Sequence, residues 1–79
     1  MARSFKKYYI LHRHETSQGW VHWSYVQSPP EWGPKALYVS TYLEATPFLL
    51  RDDAEKRAFE LSVLNPDLIG KLKVELIAL

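Results

Sequence analysis

A cluster of three prolines and a glycine, Pro29-Pro30-Glu31-Trp32-Gly33-Pro34, constrains the fold of this 79-residue chain more than any other feature. Proline has no amide hydrogen and a fixed φ, so neither a β-ladder nor a helix continues through the cluster. It predicts a loop with polyproline character at its start. The regular elements must therefore form separately on its two sides.

Two strands are predicted before this loop. Residues 7–13 and 20–26 are rich in Tyr, Trp, Ile and Val, which favour a pleated, half-buried surface. Residues 15–19 between them form a short polar connection that ends in Gly19. This arrangement is typical of a β-hairpin with a loop of about five residues.

A strand, a helix and a last strand are predicted after the loop. Residues 36–43 favour a third strand, which Pro47 separates from the helix. Asp52-Asp53-Ala54-Glu55 has the spacing of a capping box with Asp52 as the N-cap. The pairs Asp52/Lys56 and Asp53/Arg57 have the i,i+4 spacing of helical ion pairs. The helix is predicted to end near Leu64, before Asn65-Pro66.

The last strand is predicted over residues 71–79, because leucine and valine alternate there with lysine and glutamate. The order ββ–loop–β–α–β predicts one α+β domain spanning residues 1–79. We expect a small, mainly antiparallel sheet of about four strands with one helix packed on one face. A single helix cannot cover both faces, so the other face is expected to meet water or a partner.

Composition narrows the function classes. The chain has no cysteine, which excludes disulfides and thiolate metal sites, and it has no apolar run of about 18 residues. The apolar stretch 8–11 is too short for the core of a signal peptide. We therefore expect a cytoplasmic protein with no membrane partner and no cofactor. Nucleophile elbows, glycine-rich phosphate loops and HExxH spacing do not occur, so an enzyme is not expected.

The hairpin brings the chemically versatile side chains together. If its loop is centred on Ser17, His12 lies opposite His22 and His14 lies opposite Trp20. Residues two apart share a face, so one face carries the three histidines with Tyr8 and Trp20. The other face carries a more apolar set and is therefore predicted to lie under the helix: Tyr9, Leu11, Arg13, Val21, Trp23 and Tyr25. A slip of one residue would reverse this assignment.

His12, His14 and His22 can be interpreted in two ways. Three imidazoles with one open position can hold a catalytic zinc ion. Such ligands usually have second-shell acceptors, and Glu15 is the nearest acid in the sequence. The simpler interpretation, three surface histidines on a wet strand face, is therefore preferred.

The same face also suggests a binder of single-stranded nucleic acid. Its aromatic rings could stack on bases while Lys6, Lys7 and Arg13 contact phosphates. Residues 1–40 hold five basic and two acidic side chains, a net charge of +3 within a chain of net charge +1. Against this, Tyr and Trp commonly fill cross-strand pairs, and no RNA-binding motif is present.

Two further apolar features have open roles. Trp32, on the proline-stiffened loop, is either an exposed interaction anchor or a lid that folds back on the sheet edge. Phe59 and Val63 lie outside the helical stripe Ala54, Ala58, Leu61 and Leu64. We expect this pair to pack under residues 48–50 or 67–69, the alternative being a partner or dimer contact.

The layout resembles that of short accessory proteins of bacteriophages. The resemblance lies in Tyr8-Tyr9-Ile10-Leu11, in Thr46-Pro47-Phe48 before Asp52-Asp53-Ala54-Glu55, and in Asn65-Pro66 before the strand Lys71-Leu72-Lys73-Val74-Glu75. It implies a small sheet with one helix and a protein that binds and blocks a host protein, including anti-defence inhibitors. It transfers no functional residue.

The sequence therefore predicts a small non-catalytic module that binds another protein and occludes it, as an inhibitor of a host protein would. The module could act as a homodimer. The predicted contact residues are Tyr8, His12, His14, Trp20, His22 and Trp32. The alternative is a single-stranded nucleic-acid binder that uses the basic and aromatic face of the hairpin.

Overall fold

The structure is a computed structural model that describes residues 5–78. Within this range the elements are β1 (Lys6–Glu15), β2 (Val21–Gln27), β3 (Leu37–Val39), α1 (Arg51–Leu64) and β4 (Leu72–Ala78), with short 3-10 helices at Pro30–Trp32 and Pro66–Leu68. The strand order is β3-β2-β1-β4, and every neighbouring pair is antiparallel. The predicted α+β class and element order are confirmed.

Strand β1 is central and buried on both faces. Four consecutive side chains, Tyr9 to His12, are buried. Ile10 belongs to a core with Val26 and the helix residues Ala54 and Leu61. Tyr9 and Leu11 point the other way and pack with Ala45 in a second, smaller core. The sheet is therefore a middle layer between α1 on one side and residues 42–45 on the other.

The predicted face for the helix was wrong. Helix α1 covers the face that carries Ile10 and His12, and not the face that carries Leu11 and Tyr25. Ala54 and Ala58 of the helix pack there with Ile10 and Val26. The opposite face is occupied by tyrosine rings that pack against one another, with Tyr9 and Tyr25 centroids 6.1 Å apart.

The hairpin register also differs from the prediction. His12 lies opposite Ser24 and His14 opposite His22, so the loop is centred on Gln18 and not on Ser17. The amide of Thr16 donates to the carbonyl of Trp20 (2.9 Å), and Gly19 adopts φ 85°. A three-residue loop whose last residue is a left-handed glycine closes hairpins in this way. When the loop centre moves by one residue, the β2 residue opposite each β1 residue changes by two positions. Residues two apart share a face, so each face keeps its predicted members.

Strand β3 is shorter than predicted. It covers Leu37–Val39 and not residues 36–43, because the chain turns after Val39 to cross the second face of the sheet. The Tyr42 ring there lies 5.9 Å from the Tyr9 ring, and the amide of Thr46 donates to the carbonyl of Val26. The segment that was expected to extend the sheet therefore covers it instead.

Helix α1 begins two residues before the predicted start. Leu50 is its N-cap and provides no side-chain cap, so the predicted capping by Asp52 was wrong. Asp52 and Asp53 lie in the first turn, where their charges favour the helix dipole. The helix ends at Leu64 as predicted, and the amide of Asn65 donates to the carbonyl of Leu61 (2.8 Å).

Arg57 holds the proline-rich loop to the helix. It was expected to form an exposed pair with Asp53, but its side chain is 3% exposed and it is paired with Glu60 instead. Its Nη2 donates to the hydroxyl of Ser28 (2.7 Å) and to the carbonyl of Gly33 (2.7 Å), and its Nε donates to the carbonyl of Ser28 (3.1 Å). A loop without ladder hydrogen bonds thus obtains donors from the guanidinium group of Arg57, and the side-chain amide of Asn65 donates to the carbonyl of Pro34 (2.9 Å).

The expected packing of Phe59 and Val63 was wrong. Their side chains are 71% and 61% exposed, and they lie on the outer face of α1. The inner face is occupied by Ala54, Arg57 and Leu61, so no space under the flanking segments is left for the second apolar pair. An exposed apolar pair on the helix therefore needs another explanation.

We expect Arg57→Lys to destabilise the fold by about 2–3 kcal/mol, since charged hydrogen bonds are lost and buried carbonyls stay without donors. Lysine cannot reproduce the planar fork that reaches Ser28 and Gly33 together. Urea denaturation of both variants measures the effect, with Arg51→Lys on the exposed side of the same helix as the control. Equal stability of the two variants would contradict the role of Arg57.

Candidate functional site: the histidine cluster and the hairpin arm

The structure brings His12, His14 and His22 together on one sheet face, beside Tyr38 of β3. The centroids of the His12 and His14 rings lie 4.2 Å apart, and those of His14 and His22 lie 5.1 Å apart. The Tyr38 ring stacks on His12 at 4.3 Å with an interplanar angle of 21°. We call these four residues the histidine cluster. They form a continuous surface of flat rings across strands β1, β2 and β3.

The small side chain of Ser24 makes this stacking possible. Ser24 lies opposite His12 on β2, and Tyr38 pairs with the next residue of that face, Val26. A larger residue at position 24 would fill the space between the His12 and Tyr38 rings. His12 is therefore covered from the side by Tyr38 and is only 9% exposed, whereas His22 remains exposed.

His12 and His14 share a hydrogen bond, with Nδ1 of His12 2.9 Å from Nε2 of His14. One nitrogen must donate and the other accept, so the bond requires at least one unprotonated nitrogen in the pair. Burial lowers the pKa of His12 below its usual value of 6.5, and the neighbouring His14 and Lys71 lower it further. Neutral His12 is thus the form that the fold selects.

The ring nitrogens are not arranged for a shared metal ion. Two nitrogens bound tetrahedrally to one zinc at about 2.0–2.1 Å lie roughly 3.3 Å apart, whereas those of His12 and His14 are at hydrogen-bonding distance. Nε2 of His22 points to the hydroxyl of Ser24 (3.4 Å). Among residues 5–78, no group of three or more His, Asp or Glu side chains could hold a metal ion.

Beyond His12 the hairpin projects as a two-stranded arm. β4 pairs with β1 only as far as His12, and β3 pairs with β2 only from Tyr25 onward. Residues 14–22 consequently pair with each other alone, and we call them the hairpin arm. Trp20 lies at the end of the arm and is 72% exposed. Its amide donates to the hydroxyl of Thr16 (3.2 Å), so its backbone is fixed although its ring is free.

The other face at the base of the arm combines an aromatic ring with cations. Nζ of Lys73 lies 4.1 Å from the centroid of the Trp23 ring, a cation–π contact. Arg13 lies opposite Trp23 and pairs with Glu15 at 3.6 Å. These side chains point away from the histidine cluster, because odd and even positions of β1 face opposite sides.

The remaining predicted site residues lie elsewhere. Lys6 and Lys7 are at the far end of β1, about 20 Å from Arg13 at 3.3 Å per residue. Nζ of Lys7 lies over the Phe5 ring. The structure therefore does not bring the three predicted phosphate contacts together. Tyr8 is half-buried and packs against the helix core, which removes much of its ring from a contact surface.

Trp32 is half-buried in the first 3-10 helix, with Nζ of Lys35 5.0 Å from its ring centroid. It is thus less available as an anchor than Trp20. Sequence reasoning missed Tyr38, which closes the histidine cluster, because its stacking on His12 joins two strands that are distant in the sequence. It also missed Arg57, whose burial no helical pattern predicted. A signal for Arg57 existed in the proline-rich loop, whose carbonyls need donors from outside the loop.

Comparison of the chain with protein-family models, with curated proteins and with solved structures gave no match. The helix that the structure describes is also too short and too polar to cross a membrane. The function must therefore be inferred from the surfaces of the molecule itself.

The lowered pKa of His12 predicts a pH dependence of stability. A histidine whose pKa is lower in the folded state binds protons more readily when unfolded, so the stability that it contributes is present above pH 6.5 and is lost as the pH falls through the folded pKa. His12→Phe keeps a flat ring under Tyr38 but cannot titrate. Between about pH 7.5 and pH 5, we expect the melting temperature of this variant to fall less than that of the wild type.

His22→Gln is the matched control, because it removes an exposed imidazole of the same cluster and leaves His12 in place. Its melting temperature is expected to follow pH as the wild type does. An unchanged pH dependence in His12→Phe would show that His12 is not the group responsible.

Proposed function

We propose that this protein is a non-catalytic module that binds another protein through its hairpin arm, with Trp20 as the anchor. The observation that carries the proposal is the exposure of Trp20 on a backbone fixed by Thr16. Tryptophan is enriched among residues that dominate binding energy, and a side chain on an ordered backbone loses little entropy when it binds.

The surroundings of Trp20 support a docking role. Val21, His22 and Trp23 follow it on β2, and all three are exposed. Trp20 and His22 point to one face of the arm and Val21 to the other, while Nζ of Lys73 lies over the ring of Trp23 at the base of the arm. An isolated two-stranded hairpin is marginally stable in water, so docking against a partner would also stabilise the arm.

The charges near the arm specify the kind of partner. Arg13, Lys71 and Lys73 lie near its base, where Arg13 pairs with Glu15 and Lys73 pairs with Glu75, so three cations stand against two carboxylates. A protein with an apolar pocket and an acidic rim is complementary to this arrangement. Binding at such a pocket would occlude it, which is the inhibitory mode that the resemblance to phage accessory proteins implies. The absence of cysteine suits a partner in the cytoplasm.

The test uses the full chain as bait, with Trp20→Ala as the variant and Leu43→Ala, an equally exposed residue distant from the arm, as the control. Extracts are treated with nuclease before capture, and a captured protein is then purified and titrated. We expect Trp20→Ala to weaken its binding by about thirtyfold, the effect of a binding hot spot, and Leu43→Ala to leave the affinity unchanged.

Two results would contradict the proposal. One is that no protein is captured by the wild-type chain. The other is that the purified partner binds both variants with the wild-type affinity, which would place its contact away from the arm.

A second candidate function rests on the contact between Lys73 and Trp23. A flat ring with two adjacent cations, Lys73 and Arg13, can stack on a base and neutralise phosphates. This surface lies on the face opposite the histidine cluster. Binding of single-stranded DNA to this surface at low salt would quench the tryptophan fluorescence, and added salt would reverse the quenching. Fluorescence that stays constant throughout the titration would exclude it.

A further inference from the structure

Among residues 5–78, no strand pairs with the outer edge of β4. β4 is the last strand in the order β3-β2-β1-β4, and it pairs with β1 over Lys6–His12 on one side only. Within residues 5–78, no backbone hydrogen bond reaches the opposite side of β4. An exposed edge of seven residues without proline or a bulge is a template for pairing with another chain.

The hydrogen-bond pattern shows which groups are free. The amide of Arg13 donates to the carbonyl of Lys71 (2.8 Å), so this pair is a hydrogen-bonded one. Hydrogen-bonded and non-hydrogen-bonded pairs alternate along an antiparallel ladder. The backbone amides and carbonyls of Lys73 and Glu75 therefore also form hydrogen bonds with β1. Those of Leu72, Val74 and Leu76 point to the free edge.

The sequence of β4 is complementary to itself in one antiparallel register. With a two-fold axis at Val74, Lys73 of one copy lies opposite Glu75 of the other, and Leu72 lies opposite Leu76. Moving the axis by one residue places Lys73 opposite Lys73 or Glu75 opposite Glu75, which is repulsive. In the favoured register, Leu72, Val74 and Leu76 would form the hydrogen bonds between the two copies. These are the residues whose backbone amides and carbonyls point to the free edge in a single copy.

The charged pairs would be well placed in this arrangement. Nζ of Lys73 already lies 3.1 Å from the carboxylate of Glu75 in the same strand. In the dimer, Lys73 would also face Glu75 of the second copy. This is a non-hydrogen-bonded pair, in which opposing side chains lie closest. Each lysine would then lie between two glutamates, and the four charges would alternate.

The side chains of β4 on the helix side of the sheet offer apolar surface next to this edge. Leu76 is 46% exposed, and Leu72 and Val74, which share its face, are half-buried. A stable dimer buries about 1,200–2,000 Å², which requires side-chain surface in addition to a strand edge. In the register centred on Val74, Leu72 and Leu76 of the two copies meet and supply part of that surface.

We infer that a second copy of this chain pairs with β4 in the register centred on Val74 and forms a continuous eight-stranded antiparallel sheet. The two α1 helices then lie on the same face of this sheet. The hairpin arms remain free, so this inference does not depend on the proposed function of Trp20.

Charge variants test both the dimer and its register. The wild-type chain should have a mass of about 18 kDa by light scattering, twice the 9.2 kDa of one chain. Lys73→Glu and Glu75→Lys each place like charges opposite each other, and each should weaken dimerisation by about tenfold or more. An equimolar mixture of the two variants restores opposite charges at both pairs and should form a heterodimer.

Lys71→Glu is the matched control, since it makes the same charge change outside the complementary pairs and should remain dimeric. Circular dichroism verifies that each variant is folded, and hydrogen exchange should show the outward amide of Val74 protected in the dimer. A monomeric wild type would overturn the inference. So would a dimer that tolerates both charge variants, or variants whose mixture stays monomeric.

Discussion

Burial of β1 on both of its faces is the constraint on which the rest of the structure depends. Tyr9, Ile10, Leu11 and His12 are consecutive and buried, so alternate side chains need cover on opposite sides of the sheet. Helix α1 covers Ile10, and the Tyr42–Ala45 segment covers Tyr9 and Leu11. β2 and β4 flank this strand on its two sides. The short β3 follows from the same requirement, because the chain must leave the sheet edge to reach the second face.

The succession of elements could be predicted from the sequence because local signals determine it. Prolines end the strands and the helix, and the alternation in residues 71–77 identifies β4. Most boundaries lie within two residues of those in the structure, with β3 as the exception. The two faces of the hairpin were also assigned correctly as sets, because a register error of two residues preserves which residues share a face.

The choice of face for the helix could not be predicted in the same way. Counting apolar residues on each face favoured the Leu11 side, but tyrosine rings there pack with one another and with Tyr42. The continuous run Tyr8-Tyr9-Ile10-Leu11 was itself a signal, since a strand without alternation is typical of burial on both faces. Contacts between distant segments, such as Arg57 with the proline-rich loop and Tyr38 with His12, leave no periodic pattern in the sequence.

A chain of this size buries a limited share of its surface, so large exposed apolar side chains indicate where it meets other molecules. In this fold Trp20 and Val21 lie on the hairpin arm and Leu76 on β4, where strands have an unpaired side. Others, such as Leu43 and Leu49, lie in the segment between β3 and α1. The histidine cluster spans the base of the arm, because His14 and His22 belong to the arm and His12 lies next to them on β1. Because His12 is buried and neutral there, it belongs to the support of the arm and not to its contact surface.

The arrangement of β1 between two covers can be measured directly by nuclear Overhauser contacts in solution. The methyl groups of Ile10 should show contacts to Leu61 and Ala54 of α1, while those of Leu11 should show contacts to Tyr42 and Ala45. Contacts from Leu11 or Tyr25 to Leu61 would place the helix on the opposite face of the sheet and contradict this account.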